Sequence, residues 1–465
     1  MRDLLQNLRS KLNAHDLMSR LMRGLMLAFV MNVAGFVFGF MAQLVIGRTL
    51  GLGGYGVYAY VQAWVSFIAV LCGMGLPYGL LRFIPDYKGK EAWPLVRAVI
   101  RYAETRTLTA GLAVSLVGLM VMLAIGGWLD QEFAWTIYAG LLAMPLLVLL
   151  RVWCSVLRAF GRIVPSLGSD LPVREGFTFL AVAVFGLGFT AIDSAPVAML
   201  VWTLGTAIGV AISFICWQRQ TMPSSWKEPV TILPSTQSHW LQVALMLLVV
   251  QSLTMLLRRV DLFVVGMWFD KETLGVYAAA NRLAEIMIFP SYVLTAYLAP
   301  TISELHSQGA KDVLQKATTL TANIALVSAV IFVLPLLLIP DILLGLFGQD
   351  FSQGAMVLRL LALGEFVATT TPFATMMLTM TGHERAAVKL MVAASIGTFL
   401  LMMLAASTGA IETVALARSG AIIIIQLSFC WLIHKKVQIL PLPLVGAKKA
   451  STLLMGSQRE GGSAK

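Results

Sequence analysis

Apolar runs of about 20 residues recur along the whole chain, each long enough to cross roughly 30 Å of hydrocarbon as an α-helix. A backbone in lipid must satisfy its own hydrogen-bonding groups, which leaves helices or closed barrels. The short alternating strands of a barrel are missing from the sequence, so the expected fold is an all-α polytopic membrane protein. Charges, Gly and Pro bound twelve such spans, the first six near 25–47, 56–80, 107–128, 134–157, 175–192 and 195–217. The second six lie near 241–268, 274–300, 319–340, 353–381, 387–408 and 411–433. Composition agrees: 58% of the 465 residues are hydrophobic and 12% charged, far from the balance of a soluble domain.

The first run, Leu25 to Ile46, follows Arg2, Arg9, Lys11, Arg20 and Arg23 and so imitates a secretory signal. It exceeds the roughly 7 to 15 residues of a signal core and reads instead as an uncleaved helix. Cys72, Cys154, Cys216 and Cys430 all fall inside apolar runs, where cysteine acts as a small hydrophobe, and no disulfide or metal spacing is visible.

A net charge of +11 would suit nucleic acid on a soluble surface, but here the charges mark sides of a membrane. The N-terminus, alternate connections and the C-terminal tail hold 26 of the 34 lysines and arginines, whereas the opposite side has only Arg48 and Lys271. The positive-inside rule therefore puts both termini in the cytoplasm and removes nucleic acid as a partner. The expected layout is a cytoplasmic segment 1–23, a six-helix bundle 24–218, a linker 219–240, a second bundle 241–436 and a basic tail 437–465 resting on anionic lipid. No phosphate-binding glycine loop ending in Lys-Ser/Thr occurs, His383-Glu384 lacks the second histidine of a zinc protease, and outer loops are too short for catalysis. The chain reads as no enzyme, with no cofactor and no metal.

Gly-Val-Tyr-Ala occurs at Gly56–Ala59 and again at Gly275–Ala278. The same spacing of 219 residues aligns Val45 with Val264, Gln62 with Asn281 and Tyr78 with Tyr297, as a duplication would. Six helices per half is an even number, so both halves enter the membrane in one orientation, related by a pseudo-twofold axis along the membrane normal.

Ionisable groups at mid-membrane cost at least about 2.5 to 3.5 kcal/mol each and so point to function. Arg258, Arg259 and Asp261 lie near the middle of the seventh span, Arg282 and Glu285 at similar depth in the eighth, and Glu365 near the middle of the tenth. Arg258 with Asp261, and Arg282 with Glu285, are three apart and share a face, which predicts one charged cluster. It is either an ion-pair network pinning two helices or the lining of a substrate path. Arginine favours the path, because its planar fork grips phosphate bidentately and stays charged when dehydrated. Arg48, Arg82, Arg151, Arg158, Arg359 and Arg418 lie nearer the interfaces, where long side chains snorkel to headgroups. Arg48 and Arg82 complete the candidate anion-binding set, and Asp261, Glu285 and Glu365 are candidate coupling or ion-pairing acids.

Several motifs in order carry a family resemblance. They are Gly47-Arg48-Thr49-Leu50-Gly51-Leu52-Gly53-Gly54-Tyr55-Gly56-Val57-Tyr58-Ala59, Gly75-Leu76-Pro77, Arg82-Phe83-Ile84-Pro85, Leu157-Arg158-Ala159-Phe160-Gly161-Arg162, Arg259-Val260-Asp261 and Leu274-Gly275-Val276-Tyr277-Ala278-Ala279-Ala280. From about residue 20 to 436 the chain resembles the polysaccharide transporters, the lipid-linked oligosaccharide flippases of O-antigen and capsule pathways, within the multidrug/oligosaccharidyl-lipid/polysaccharide exporter superfamily. That resemblance implies two six-helix bundles around a cavity opening alternately to each side of the bacterial inner (cytoplasmic) membrane. It also implies an undecaprenyl-pyrophosphate-linked glycan as substrate, membrane lipids as surroundings, and a polysaccharide polymerase and glycosyltransferases as pathway partners. A cation-coupled multidrug exporter of the same superfamily is the alternative. Such a cavity would rely on acids and aromatics, whereas interior arginines here outnumber interior acids. A membrane-embedded glycosyl polymerase or ligase would need a substantial outer loop, which the sequence lacks.

Overall fold

The computed structural model describes residues 2–188, 194–228, 233–289, 291, 294, 295, 302, 311–371, 373–440, 442 and 443. Among them every regular element is helical, and nine helices are long and apolar enough to cross a membrane. Lipid-facing character is plain on their outer sides: Leu116, Met120 and Leu123, or Leu320, Val327 and Ile331, stand exposed in rows that water would not tolerate.

The chain forms two compact units, residues 1–252 and 253–465. In the first, α1 (Arg2–Cys72) holds the first two predicted spans in one element of 71 residues, which as a straight rod would measure about 100 Å. Gly51, at φ 66° and ψ −170°, divides it into two arms, each the length of one span. α2 (Leu76–Gly89), α3 (Trp93–Ile125), α4 (Gln131–Ala159), α5 (Ile163–Gly168), α6 (Arg174–Gly188) and α7 (Ala195–Gln218) follow. α4 is the central element, packed by α1, α2, α3, α5 and α7. A π-helical turn, Ser169–Val173, joins α5 to α6, and the expected continuation of the fifth span at 189–192 lies outside the described residues.

The expected linker is only partly loose. Trp226, on a 3-10 turn at Ser224–Lys227, packs on Trp217 with ring centroids 5.9 Å apart, and Arg97 Nη2 donates to the Glu228 carbonyl at 3.0 Å. Residues 229–232 lie outside the described residues. α8 (Pro234–Trp268) then starts within the first unit: Trp240 and Ala244 are fully buried among Leu80, Phe83, Ile84 and Val99, and the Trp240 indole N–H donates to Tyr87 Oη at 2.8 Å. Gly75 makes this packing tight. It sits at φ 71°, and a Cβ there would collide with the Ala244 carbonyl.

The second unit holds the rest of α8 and α9 (Lys271–Ala284), which tightens into a 3-10 turn at Glu285–Ile288. Most of the remainder of the expected eighth span, 290–300, lies outside the described residues, as does the tail beyond 443. α10 (Lys311–Leu338), α11 (Pro340–Gly345), α12 (Ala355–Thr370), α13 (Ala374–Met380), α14 (Glu384–Ala406) and α15 (Ile411–Val437) complete it. The tenth predicted span is not one helix: it divides at Thr371, at φ −127° and ψ 48°, the residue before Pro372. Proline disfavours helical geometry in the residue that precedes it. α12 is the centre of this unit, packed by α9, α10 and α15. After α15 the chain is held by Gln315, whose amide donates to the Leu440 carbonyl at 2.8 Å and accepts from its N–H at 2.9 Å.

Gly75→Ala should destabilise the first unit by at least about 1–3 kcal/mol, the cost of a forbidden backbone region before the collision is counted. A thermal melt in detergent should drop by several degrees; an unchanged midpoint would contradict the packing of α2 on α8.

Candidate functional site

Four helices of the second unit converge on one guanidinium. Arg418, seven residues into α15 and 7% exposed, donates through Nε to Asp261 Oδ2 at 3.1 Å and through Nη2 to Glu365 Oε1 at 3.4 Å. Asp261 comes from α8 and is 0% exposed, Glu365 comes from α12 and is 6% exposed. Tyr277, on α9, donates its hydroxyl to the same Asp261 Oδ2 at 3.0 Å. Asp261 Oδ1 is buried with no hydrogen-bond partner among the described residues. With both carboxylates ionised the group carries one net negative charge.

A second group lies where α9 tightens. Glu285 Oε1 pairs with Arg259 Nη1 at 3.1 Å, and Oε2 with Arg282 Nη1 at 3.2 Å, so each oxygen of one carboxylate faces its own guanidinium. The net charge here is positive, and all three side chains are partly open, at 28%, 26% and 15% exposure. Thr369 on α12 fixes the turn by donating to the Met287 carbonyl at 2.9 Å. Arg258 is exposed on α8 and within electrostatic reach of both Glu285 and Glu365. A cationic, half-open group therefore adjoins an anionic, closed one. The first can receive an anion; the second can take up a proton or cation.

The expected cluster is thus present with different partners. Arg282 and Glu285 meet as their spacing predicts, joined by Arg259. Arg258 and Asp261 do not pair: on one helix, one faces outward while the other turns to Arg418. Arg418, read from its position as an interfacial snorkelling residue, is buried at the centre. Its depth, about 10 Å into the span at the rise of a helix, was the available signal. Arg48 and Arg82 belong to the first unit, at exposed positions on α1 and α2, apart from either group. Among the described residues no three His, Cys, Asp or Glu side chains stand as a metal site.

The duplicated frame makes the asymmetry explicit. In the first copy Tyr58 is buried like Tyr277, but its hydroxyl accepts from Gln62 Nε2 at 3.0 Å. Positions 219 residues before Asp261, Glu365 and Arg418 hold Ala42, Leu146 and Met199. The first unit instead buries Arg174, in the connection before α6, between Glu175 at 3.0 Å and Asp170 at 3.5 Å.

The model of the polysaccharide biosynthesis protein family matches residues 21–306, and that of the MatE family matches residues 243–406. No curated protein matches the chain by sequence. Among solved structures, an inward-facing multidrug resistance MATE family transporter of the MOP superfamily is similar at 14% identity and TM-score 0.71, over 87% of this chain and 97% of that one. The lipid II flippase MurJ, in an inward closed conformation, is similar at 13% identity and TM-score 0.65, over 88% and 87%. The MATE multidrug transporter DinF-BH follows at 15% and 0.63, over 90% and 95%. At such identities the likeness is one of fold.

Arg418→Met should destabilise the second unit by about 3–5 kcal/mol, because it strands two buried carboxylates. Adding Asp261→Asn and Glu365→Gln should recover part of that loss in a detergent melt, since the strain comes from unpaired charge. A triple variant no more stable than Arg418→Met would contradict the pairing.

Proposed function

Because the chain belongs to the polysaccharide biosynthesis protein family, we propose that it is a flippase for an undecaprenyl-pyrophosphate-linked oligosaccharide, an O-antigen, capsule or exopolysaccharide repeat unit. The observation that carries this reading is the half-open pair Arg259 and Arg282 on the single carboxylate of Glu285, with Arg258 beside them. Guanidiniums at this depth, with donors exceeding the one acid they hold, match the chemistry of a diphosphate. The prenyl chain stays in lipid while the headgroup engages these arginines. Arg48 and Arg82 are proposed as further contacts at the rims of the path.

On this proposal the chain spans the bacterial inner membrane twelve times, six in each half, with both termini cytoplasmic, and works by alternating access without covalent chemistry. An inside-negative potential favours outward movement of a diphosphate by about 2.3 kcal/mol per charge per 100 mV. Asp261, Glu285 and Glu365 are the candidate coupling acids. Polymerase and glycosyltransferases of the same pathway are the proposed partners.

A cation-coupled multidrug exporter is the second reading. It is favoured by the MatE match over 243–406 and by the net negative charge around Arg418. The two readings part on which group the cargo touches.

Each of Arg259→Ala and Arg282→Ala should cut glycan export by about tenfold or more, the effect of losing one hydrogen bond to a charged partner, with lipid-linked glycan accumulating in the inner leaflet. Leaflet-resolved glycolipid analysis in cells checks this. If export survives in both Arg258→Ala and Arg282→Ala, the phosphate clamp is wrong, and loss of cationic-dye efflux in Glu365→Gln would then favour the drug exporter.

A further inference from the structure

The first unit carries a guanidinium whose hydrogen-bonding capacity is almost unused. Arg151 lies in the interior-facing part of α4, partly buried, and among the described residues its hydrogen bonding is a single contact, Nη2 to the Ser66 carbonyl at 3.3 Å. No carboxylate stands within ion-pair distance of it among the described residues. Two turns along the same helix, Arg158 shares its face and is held as loosely, Nε on the Cys154 carbonyl at 3.4 Å and Nη2 on Ser155 Oγ at 3.5 Å.

Its neighbours explain how such a group is tolerated. Arg174 is saturated by Glu175 and Asp170 and lies over the Trp202 ring at 5.6 Å, so that cluster has one net negative charge. Arg151 is within electrostatic reach of Asp170. Its charge is compensated by the field of the cluster while its N–H donors stay open. That is the preorganisation an anion site needs: the desolvation cost is met beforehand, and binding breaks only one long hydrogen bond.

The repeat supplies a second, independent observation. At the spacing of 219 residues, Ser66 stands where Glu285 stands in the other half. In the second unit that corner is a carboxylate clamped by Arg259 and Arg282; in the first, Arg151 reaches the same corner and finds only a peptide oxygen. Both halves bring arginine to this place, and one lacks the acid.

We propose that Arg151 is an anion-binding position of the first unit, taking a phosphate oxygen of a prenyl diphosphate where the second unit has Glu285, with Arg158 as the next contact along α4. The assignment rests on the flippase reading and names a substrate contact additional to it.

Arginine modification by phenylglyoxal, read by mass spectrometry on the unmodified full-length protein in nanodiscs, tests it without a variant. Undecaprenyl diphosphate should slow labelling of Arg151 about fivefold or more, and undecaprenol should not. Arg151→Gln should weaken undecaprenyl diphosphate binding about tenfold, the effect of one hydrogen bond to a charged partner, with Arg151→Lys intermediate. No protection, or equal protection by undecaprenol, overturns the proposal; equal protection by inorganic diphosphate assigns the position to a free anion and overturns the lipid headgroup. If Arg151→Gln binds normally while Arg259→Ala and Arg282→Ala do not, Arg151 is only a counter-ion of Asp170 and the flippase reading stands. If the unmodified protein does not distinguish diphosphate from alcohol, the flippase reading fails as well. Should Arg151→Gln not fold, the labelling result decides alone.

Discussion

A guanidinium enclosed by two carboxylates, away from water, ties α8, α9, α12 and α15 into one body. Arg418 supplies the charge, Asp261 and Glu365 answer it, and Tyr277 fills a remaining lone pair on Asp261. Such a group stabilises little by itself, because each ion forfeits several kcal/mol of hydration. Its strength is conditional: once three charges are buried, losing any one is far costlier than the pairing is worth. The four helices are therefore held in a single register, and that register presents Arg259 and Arg282 to Glu285 on the adjoining turns of α8 and α9.

The two halves share a frame but divide the chemistry. Each buries its repeated tyrosine, yet the positions matching the Arg418 group are Ala42, Leu146 and Met199 in the first half. That half places its ion pairs elsewhere, at Arg174 beside a π-helical turn, a device that recurs at functional sites because it shifts side chains off the regular helical face. Duplication therefore predicts where helices run. It does not predict where charge sits, since a buried ion pair is gained or lost by a few substitutions without altering the spans.

The spans themselves were legible because lipid imposes one rule on every residue of a segment. The Arg282–Glu285 contact was legible for a related reason, being local, three residues apart on one helix. What the sequence concealed was long-range choice. Asp261 had Arg258 three residues away and a distant Arg418 on the last helix, and burial decided for the distant one: both Asp261 and Arg418 are shut from solvent, while Arg258 faces out. The break at Thr371 was signalled by the following proline. By contrast, the docking of Trp226 and Trp240 was hidden under the polar composition of 219–240, since a few aromatics suffice to fix a segment that otherwise reads as a tether.

On the flippase reading, Glu285 has a role beyond neutralising charge. A diphosphate arriving at Arg259 and Arg282 meets donors already engaged at 3.1 and 3.2 Å, so its affinity is the difference between two anions competing for the same guanidiniums. A transporter gains from that arrangement, because a cargo bound by unopposed arginines in a low-dielectric site would be held too tightly to leave. The internal carboxylate returns to the arginines as the headgroup departs, and the site is never left with unpaired buried cations. The corner at Ser66 has no such competitor, which makes the first half the tighter partner for a headgroup and the second half the one that releases it.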